Sequence, residues 1–183
     1  MNQLTVCLQD GNISAALQYL KHFDELCKES TVRYYCKNPT INAALSFYAG
    51  KAEELGICVT INFSAPCLHL SSDIDFSIML ANSFENAVNG CMKLSDPKQR
   101  EIRVTCLEEN QMLYEIANTC LEEAIVFDEN HFPLSQNPGH GIGTRSIIAF
   151  AQKNNASLDY QIEDGFFRLR ILFPPTHAAE ASQ

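Results

Sequence analysis

The sequence predicts an α/β fold: a two-layer sandwich with helices on one face of a mixed sheet, preceded by a short helical hairpin. Three observations predict it. Apolar residues recur at helical spacing in segments that start or stop on capping residues. Between and after these segments, β-branched and aromatic residues gather in short runs bounded by turn residues. After the hairpin, the order is helix–strand–helix–strand–strand–loop–helix–strand–strand, which suits one sheet covered by helices.

Along the chain, Leu4, Cys7 and Leu8 begin an apolar stripe that stops at the turn signal Asp10-Gly11-Asn12. Ile13, Ala16, Leu17, Leu20, Phe23 and Cys27 resume it at helical spacing, with Asn12 as N-cap. Residues 1–30 therefore read as a helical hairpin with a short first arm. A third helix is expected from Pro39 to Leu55, capped by Asn38 and stopped at Gly56. Proline in its first position costs no hydrogen bond, because that N–H has no helical partner.

Further helices are expected over Ile74–Lys93 and Gly143–Lys153, and strands over Ile57–Phe63, Glu101–Leu107 and Met112–Asn118. Ser157–Ile162 and Phe166–Phe173 read as a terminal hairpin around Asp164-Gly165. From Cys120 to Gly143 no period is visible, and loops of that length are usually functional lids or disordered. The domain from 31 to 175 ends in a small polar tail, 176–183, expected to fray.

Composition narrows the function. Lys plus Arg is 13 against 22 for Asp plus Glu, a formal net charge of −9. Such a chain has no general affinity for nucleic acid or anionic lipid, and it holds no long Lys/Arg run. No segment approaches the ~20 apolar residues of a membrane span, and Met1-Asn2-Gln3-Leu4 does not start like a signal peptide. The 8 cysteines form no CxxC pair and have no histidine at zinc-finger spacing. Most fall in apolar periodic segments, so they are expected as buried free thiols in a reducing compartment.

Two segments carry chemistry. At ~100° per residue, Asn82, Asn86 and Asn89 fall on one narrow helical face, with Leu80, Phe84, Ala87 and Cys91 roughly opposite. Asparagine is a poor helix former, so the stripe carries a propensity cost. Carboxamides offer oxygen to a hard cation and N–H to phosphate. By spacing alone, a solvated polar face explains the stripe as well. The second segment, Pro138-Gly139-His140-Gly141-Ile142-Gly143-Thr144, runs into an apolar-periodic helix. Glycines let backbone amides approach an anion, and a helix N-terminus favours negative charge. A flexible entry loop is the alternative, and the spacing matches neither a P-loop nor a dinucleotide fingerprint.

Together the segments resemble the GHKL superfamily of ATPases and kinases, whose nucleotide-binding domain has the Bergerat fold. Asn82-Ser83-Phe84-Glu85-Asn86-Ala87-Val88 is similar to the N-box of histidine kinases, and Gly139-His140-Gly141-Ile142-Gly143-Thr144 to their second glycine box. The helix from Asn38 to Ile57 and the strand from Asp164 to Ile171 resemble peptide-quorum-sensing receptor kinases. The resemblance implies ATP and Mg2+ as ligands. Asn86 would ligate the nucleotide-bound Mg2+, and Asn82 and Asn89 would line the phosphates. Gly139, Gly141 and Gly143 would form part of the lid, with Thr144 near the phosphates. ATP-hydrolysing relatives place a general-base Glu four residues before the metal Asn. Asn82 stands there, which favours a kinase.

Two departures qualify the resemblance. Asn118, in Glu115-Ile116-Ala117-Asn118-Thr119-Cys120, stands where most histidine kinases have the Asp of a DxGxG box that accepts from the adenine amino group. An amide oxygen can accept the same bond without charge, and the quorum-sensing kinases have a similar Asn. No clear F-box is present, although Phe127 and Phe132 lie in the lid region. The phosphoacceptor histidine would precede a segment like Asn2–Leu8, so the acceptor is expected outside this chain; His22 does not match its pattern.

The implied function is the ATP-binding catalytic domain of a two-component sensor histidine kinase, in the cytoplasmic part of a membrane receptor. Residues 1–30 would be the remnant of a dimerisation hairpin. The partners would be a histidine-bearing helix, a response regulator and, at full length, a second copy. This chain alone would bind ATP without phosphorylating itself. A non-catalytic ATP-binding signalling module and an anti-sigma-factor-type serine kinase are the alternatives. Nucleotide binding without transfer would mark the first, and the N-terminal helical pair argues against the second.

Overall fold

Asn38 opens the first described helix by accepting at its Oδ1 from the backbone N–H of Thr40 (3.0 Å) and Ile41 (3.2 Å). That helix, α1 (Pro39–Glu54), ends through Leu55 at Gly56, whose φ of 74° needs no side chain to be accommodated. The computed structural model describes residues 33–64, 72–134 and 142–175. The expected N-terminal hairpin, the tail 176–183, and Gly139, His140 and Gly141 lie outside the described residues.

After α1 follow β1 (Cys58–Phe63), α2 (Asp73–Cys91), β2 (Glu101–Glu108), β3 (Met112–Thr119), α3 (Ile142–Lys153), β4 (Ser157–Glu163) and β5 (Phe166–Leu172). Expected bounds and observed ones differ by no more than two residues, the range within which frayed ends are assigned. Ser72 caps α2 by accepting from Asp75 N–H at 3.2 Å, and Asp73 and Asp75 place negative charge at its positive end.

The strands form one five-stranded sheet in the order β1-β2-β3-β5-β4. β1 runs parallel to β2, and the remaining pairs are antiparallel, which makes the sheet mixed. The terminal hairpin turns through Asp164 (φ 52°) and Gly165 (φ 76°), the two positive-φ positions that a tight primed turn demands.

Period-two alternation sends Val104, Ile116 and Leu169, register partners across three strands, to the helical side of the sheet. There the buried Phe76, Leu80 and Phe84 of α2, Ile41 and Leu45 of α1, and Ile147 and Phe150 of α3 complete the core. One polar pair is enclosed with them: Ser83 Oγ and Tyr114 Oη share a 2.7 Å hydrogen bond. The alternate residues face away from the helices. Glu115 pairs there with Arg168 (3.1 Å) and with Arg170, and Arg103 lies 4.3 Å from the centroid of Phe166.

Two details differ from expectation. Among the described cysteines all are free, and Cys36, Cys91 and Cys106 are buried, but Cys58 is exposed. Its position on edge strand β1 alternates to the face without helices. The stretch after β3, which shows no sequence period, contains a 3-10 turn at Glu122–Ala124 and a bridge between Phe127 and Pro133. Asp128 organises that bridge, its Oδ1 accepting from Asn130 N–H (2.9 Å) and Phe132 N–H (2.8 Å). Turn chemistry rather than periodicity holds this segment.

Candidate functional site

The site starts from the pitch of α2. Leu80, Phe84, Ala87 and Cys91 are buried against the sheet, and the same pitch leaves Asn86 and Asn89 exposed and Asn82 half-buried. The apolar face fixes the helix, and the amides are carried on it as a rigid row.

The first turn of α3 lies against this row. A methyl group added at Gly143 would stand 3.4 Å from Asn82 Oδ1 and 3.5 Å from Asn86 Oδ1. These are ordinary van der Waals distances, so the position does not demand glycine; what they show is that the start of α3 lies beside two amide oxygens at once. One helical turn further, Ser146 Oγ accepts from Asn82 Nδ2 at 3.2 Å, while the same Nδ2 donates to Ile78 O at 2.9 Å. The first N–H groups of any helix lack helical partners and carry partial positive charge. Neutral amide oxygens beside such a terminus can share an anion and its counter-cation. Thr144 is half-buried in that first turn.

Asn118 enters from the sheet. It lies near the end of β3 on the helical side, 4% exposed, and its Nδ2 donates to Thr119 O at 2.9 Å. Its carboxamide packs against Gly90 of α2, with Cγ 3.3 Å from where a Gly90 methyl would stand. The residue beside Gly90 is Asn89, so Asn118 meets the amide helix at the far end of the row from Gly143.

An aromatic cluster adjoins Asn118. Phe167 is its register partner on β5. Phe127 stacks on Phe167 (6.4 Å between centroids) and on His131 (4.6 Å), and Tyr160 meets Phe132 edge-on at 6.1 Å. The segment around Phe127 and Phe132 is thus seated on the β4–β5 hairpin. Burial pushes the Tyr160 phenol up, and its hydroxyl has no hydrogen-bond partner among the described residues.

Of the residues expected from sequence, Asn82 and Asn86 both lie beside Gly143, Asn89 continues their row, and Asn118 closes on its end through Gly90. Gly139 and Gly141 lie outside the described residues. Gly90 and Ser146 are additions that sequence reasoning missed. An isolated glycine inside a helical pattern was a usable signal for the first; a serine in a helix gives none.

The donors that the row offers to a cation are neutral amide oxygens. Among the described residues no group of three or more His, Cys, Asp or Glu could hold a metal ion. A hard cation here would draw on an amide oxygen and on the phosphates themselves, the usual manner of Mg2+ in phosphoryl-transfer sites.

A family model described as a GHKL domain matches residues 72–174, more than half of the 183-residue chain. No curated protein matches the sequence. Among solved structures, the chain is similar to the catalytic domain of histidine kinase ThkA, in a nucleotide-free form, with a TM-score of 0.59 and 14% identity over 77% of this chain and 95% of that one. It is also similar to histidine kinase AdeS of Acinetobacter baumannii, with a TM-score of 0.57 and 9% identity over 96% of this chain and 86% of that one. The histidine kinase domain of the blue-light activated kinase EL346 of Erythrobacter litoralis gives a TM-score of 0.57 and 12% identity over 85% and 72%. At these identities the likeness is one of fold: the mixed sheet with helices on one face is that of histidine kinase catalytic domains.

Proposed function

Because the chain belongs to the GHKL family, we propose that it binds ATP with Mg2+ between the amide row of α2 and the start of α3, as the catalytic domain of a sensor histidine kinase. The observation that carries this reading is the convergence of Asn82 Oδ1 and Asn86 Oδ1 on Gly143, where a row of neutral oxygens meets a helix N-terminus. In this reading Asn86 ligates the nucleotide-bound Mg2+, and Asn82 and Asn89 line the phosphates. Gly139, Gly141, Gly143 and Thr144 cover them from the lid side. Asn118 accepts from the adenine amino group.

The cation, when bound, neutralises charge on the phosphates and holds them in line for transfer. The chain's own residues supply position. Asn82 is tied to Ile78 and Ser146, and an amide cannot take a proton from water, so no base stands ready for hydrolysis at that place. That favours transfer to a protein acceptor over autonomous ATP hydrolysis. The acceptor would be a histidine on a dimerisation helix, for which residues 1–30 would be the remnant joined to a domain spanning 31–175. A response regulator, a receptor of the peptide-quorum-sensing type and a cytoplasmic setting complete the proposal. No helix among the described residues is long and apolar enough to cross a membrane.

The test is thermal unfolding with nucleotide, followed by transfer from γ-labelled ATP to a supplied histidine-bearing helical hairpin. At a hundredfold excess over its dissociation constant, ATP with Mg2+ should stabilise the fold by about 2.7 kcal/mol. For a chain of this size that raises the melting temperature by roughly 5–10 °C. An unchanged melting temperature contradicts the binding reading. Binding without transfer to any acceptor supports the non-catalytic module.

A further inference from the structure

Gly90 sits in the last turn of α2, where propensity alone disfavours glycine. It is absent from the positive-φ glycines, Gly56 and Gly165, so backbone conformation does not call for it. The reason lies across the helix–sheet interface. A methyl group at Gly90 would overlap Asn118 Nδ2 and stand 3.3 Å from Cγ and 3.7 Å from Oδ1. Gly50, in the interior of α1, has nothing within 4 Å of such a methyl and makes no comparable contact.

Asn118 has little freedom to avoid that overlap. It is 4% exposed, and its strand is held by β2 on one side and β5 on the other. Its Nδ2, the atom nearest Gly90, is the one anchored to Thr119 O at 2.9 Å. Among the described residues no hydrogen bond reaches its Oδ1. Gly90 and Thr119 together fix which end of the carboxamide is spent on the protein and which end is offered to a ligand.

We infer that Gly90 is a positioning residue for base recognition: by lacking a side chain it holds the Asn118 carboxamide with its oxygen presented to the adenine amino group. This rests on the adenine role proposed for Asn118. A methyl at position 90 would turn the carboxamide off Thr119 O and misdirect its oxygen, leaving a buried amino group of the ligand unpaired. Guanine has an oxygen at that place and gains nothing from a correctly held acceptor. The effect should therefore appear as lost discrimination between bases, which general loosening of a helix does not produce.

The experiment measures ATP and GTP dissociation constants, with Mg2+, for the wild type, Gly90→Ala, Asn118→Ala, the double variant and Gly50→Ala as the helical control. Gly90→Ala and Asn118→Ala should each weaken ATP by about tenfold while GTP changes little. The double variant should bind no worse than Asn118→Ala, and Gly50→Ala should keep the wild-type ratio. If Gly90→Ala alone fails to fold, the double variant removes the collision and should fold; its failure to do so overturns the inference. A wild-type ATP-to-GTP ratio in Gly90→Ala, with a collapsed ratio in Asn118→Ala, also overturns it and leaves the adenine role standing. A ratio untouched by Asn118→Ala removes the adenine role, and this inference with it.

Discussion

Asn82 donates to Ser146 Oγ at 3.2 Å and thereby ties the amide-bearing helix α2 to the first turns of α3. The bond joins two elements far apart in the chain, and it sits beside the close approach of Gly143 to the same side chain. Ser146→Ala should cost about 0.5–1 kcal/mol, since Asn82 keeps its bond to Ile78 O and no buried group is orphaned. A double-mutant cycle with Asn82→Ala in urea should give a coupling of about 0.5–1 kcal/mol. The ion pair between Lys153 and Asp75 also links the two helices, but it is largely exposed and contributes little. A coupling near zero would mean that other packing alone holds α3 in place.

Asn86 is exposed on α2 and its oxygen faces Gly143, so its removal should spare the fold. In the role proposed for it, Asn86→Ala would remove an oxygen ligand of the cation without leaving a buried polar group. Calorimetric titration with ATP should show that Mg2+ strengthens binding to the wild type and that the variant loses most of that gain. In chelator, the two proteins should bind ATP within about threefold of each other, since a metal ligand contributes little without its metal. A Mg2+ enhancement that survives in Asn86→Ala would remove the residue from the metal.

The core makes its own pH prediction. Burial pushes the Cys106 thiol up to about 12 from an ordinary value of 9.0, with Glu108 and Cys36 adding to the shift. Its folded pKa is raised, so its contribution to stability is complete below pH 9.0 and is lost as pH rises toward about 12. In that window the unfolded chain releases a proton that the folded chain keeps, and stability falls by up to about 1.4 kcal/mol per pH unit for this one group. Urea unfolding between about pH 8 and 10.5 should show the decline, to which the Cys36, Cys91 and Cys120 thiols, also raised by burial, add their own share. Cys106→Ala should start less stable, because it leaves a small cavity, and fall less steeply. Equal slopes in both proteins would place the alkaline loss on other groups.

Local chemistry made much of this fold legible in the sequence. Asn38, through its side chain, and Gly56 and Asp164-Gly165, through their φ angles, each act on backbone within a few residues, so their caps and turns could be named without tertiary knowledge. The amide row was legible for the same reason: helical pitch alone groups Asn82, Asn86 and Asn89. What could not be read were relations between elements. The insertion of β5 between β3 and β4 follows from packing of the whole sheet. Gly90 of α2 lies against Asn118 of β3, and Ser146 of α3 accepts from Asn82 of α2. The seat of Phe127 and Phe132 on the β4–β5 hairpin depends on a turn built by Asp128, which leaves no periodic trace.

The central claim is that one surface, the amide row with the start of α3 and the end of β3, holds ATP with Mg2+. The most direct measurement is a nuclear magnetic resonance titration that follows backbone amides and asparagine side-chain NH2 groups. Saturating ATP with Mg2+ should shift Asn82, Asn86, Asn89, Asn118, Gly143 and Thr144. Arg103 and Arg170, on the sheet face away from the helices, should stay in place. Shifts confined to the Arg103–Arg170 face, or no shifts at millimolar nucleotide, would contradict the account.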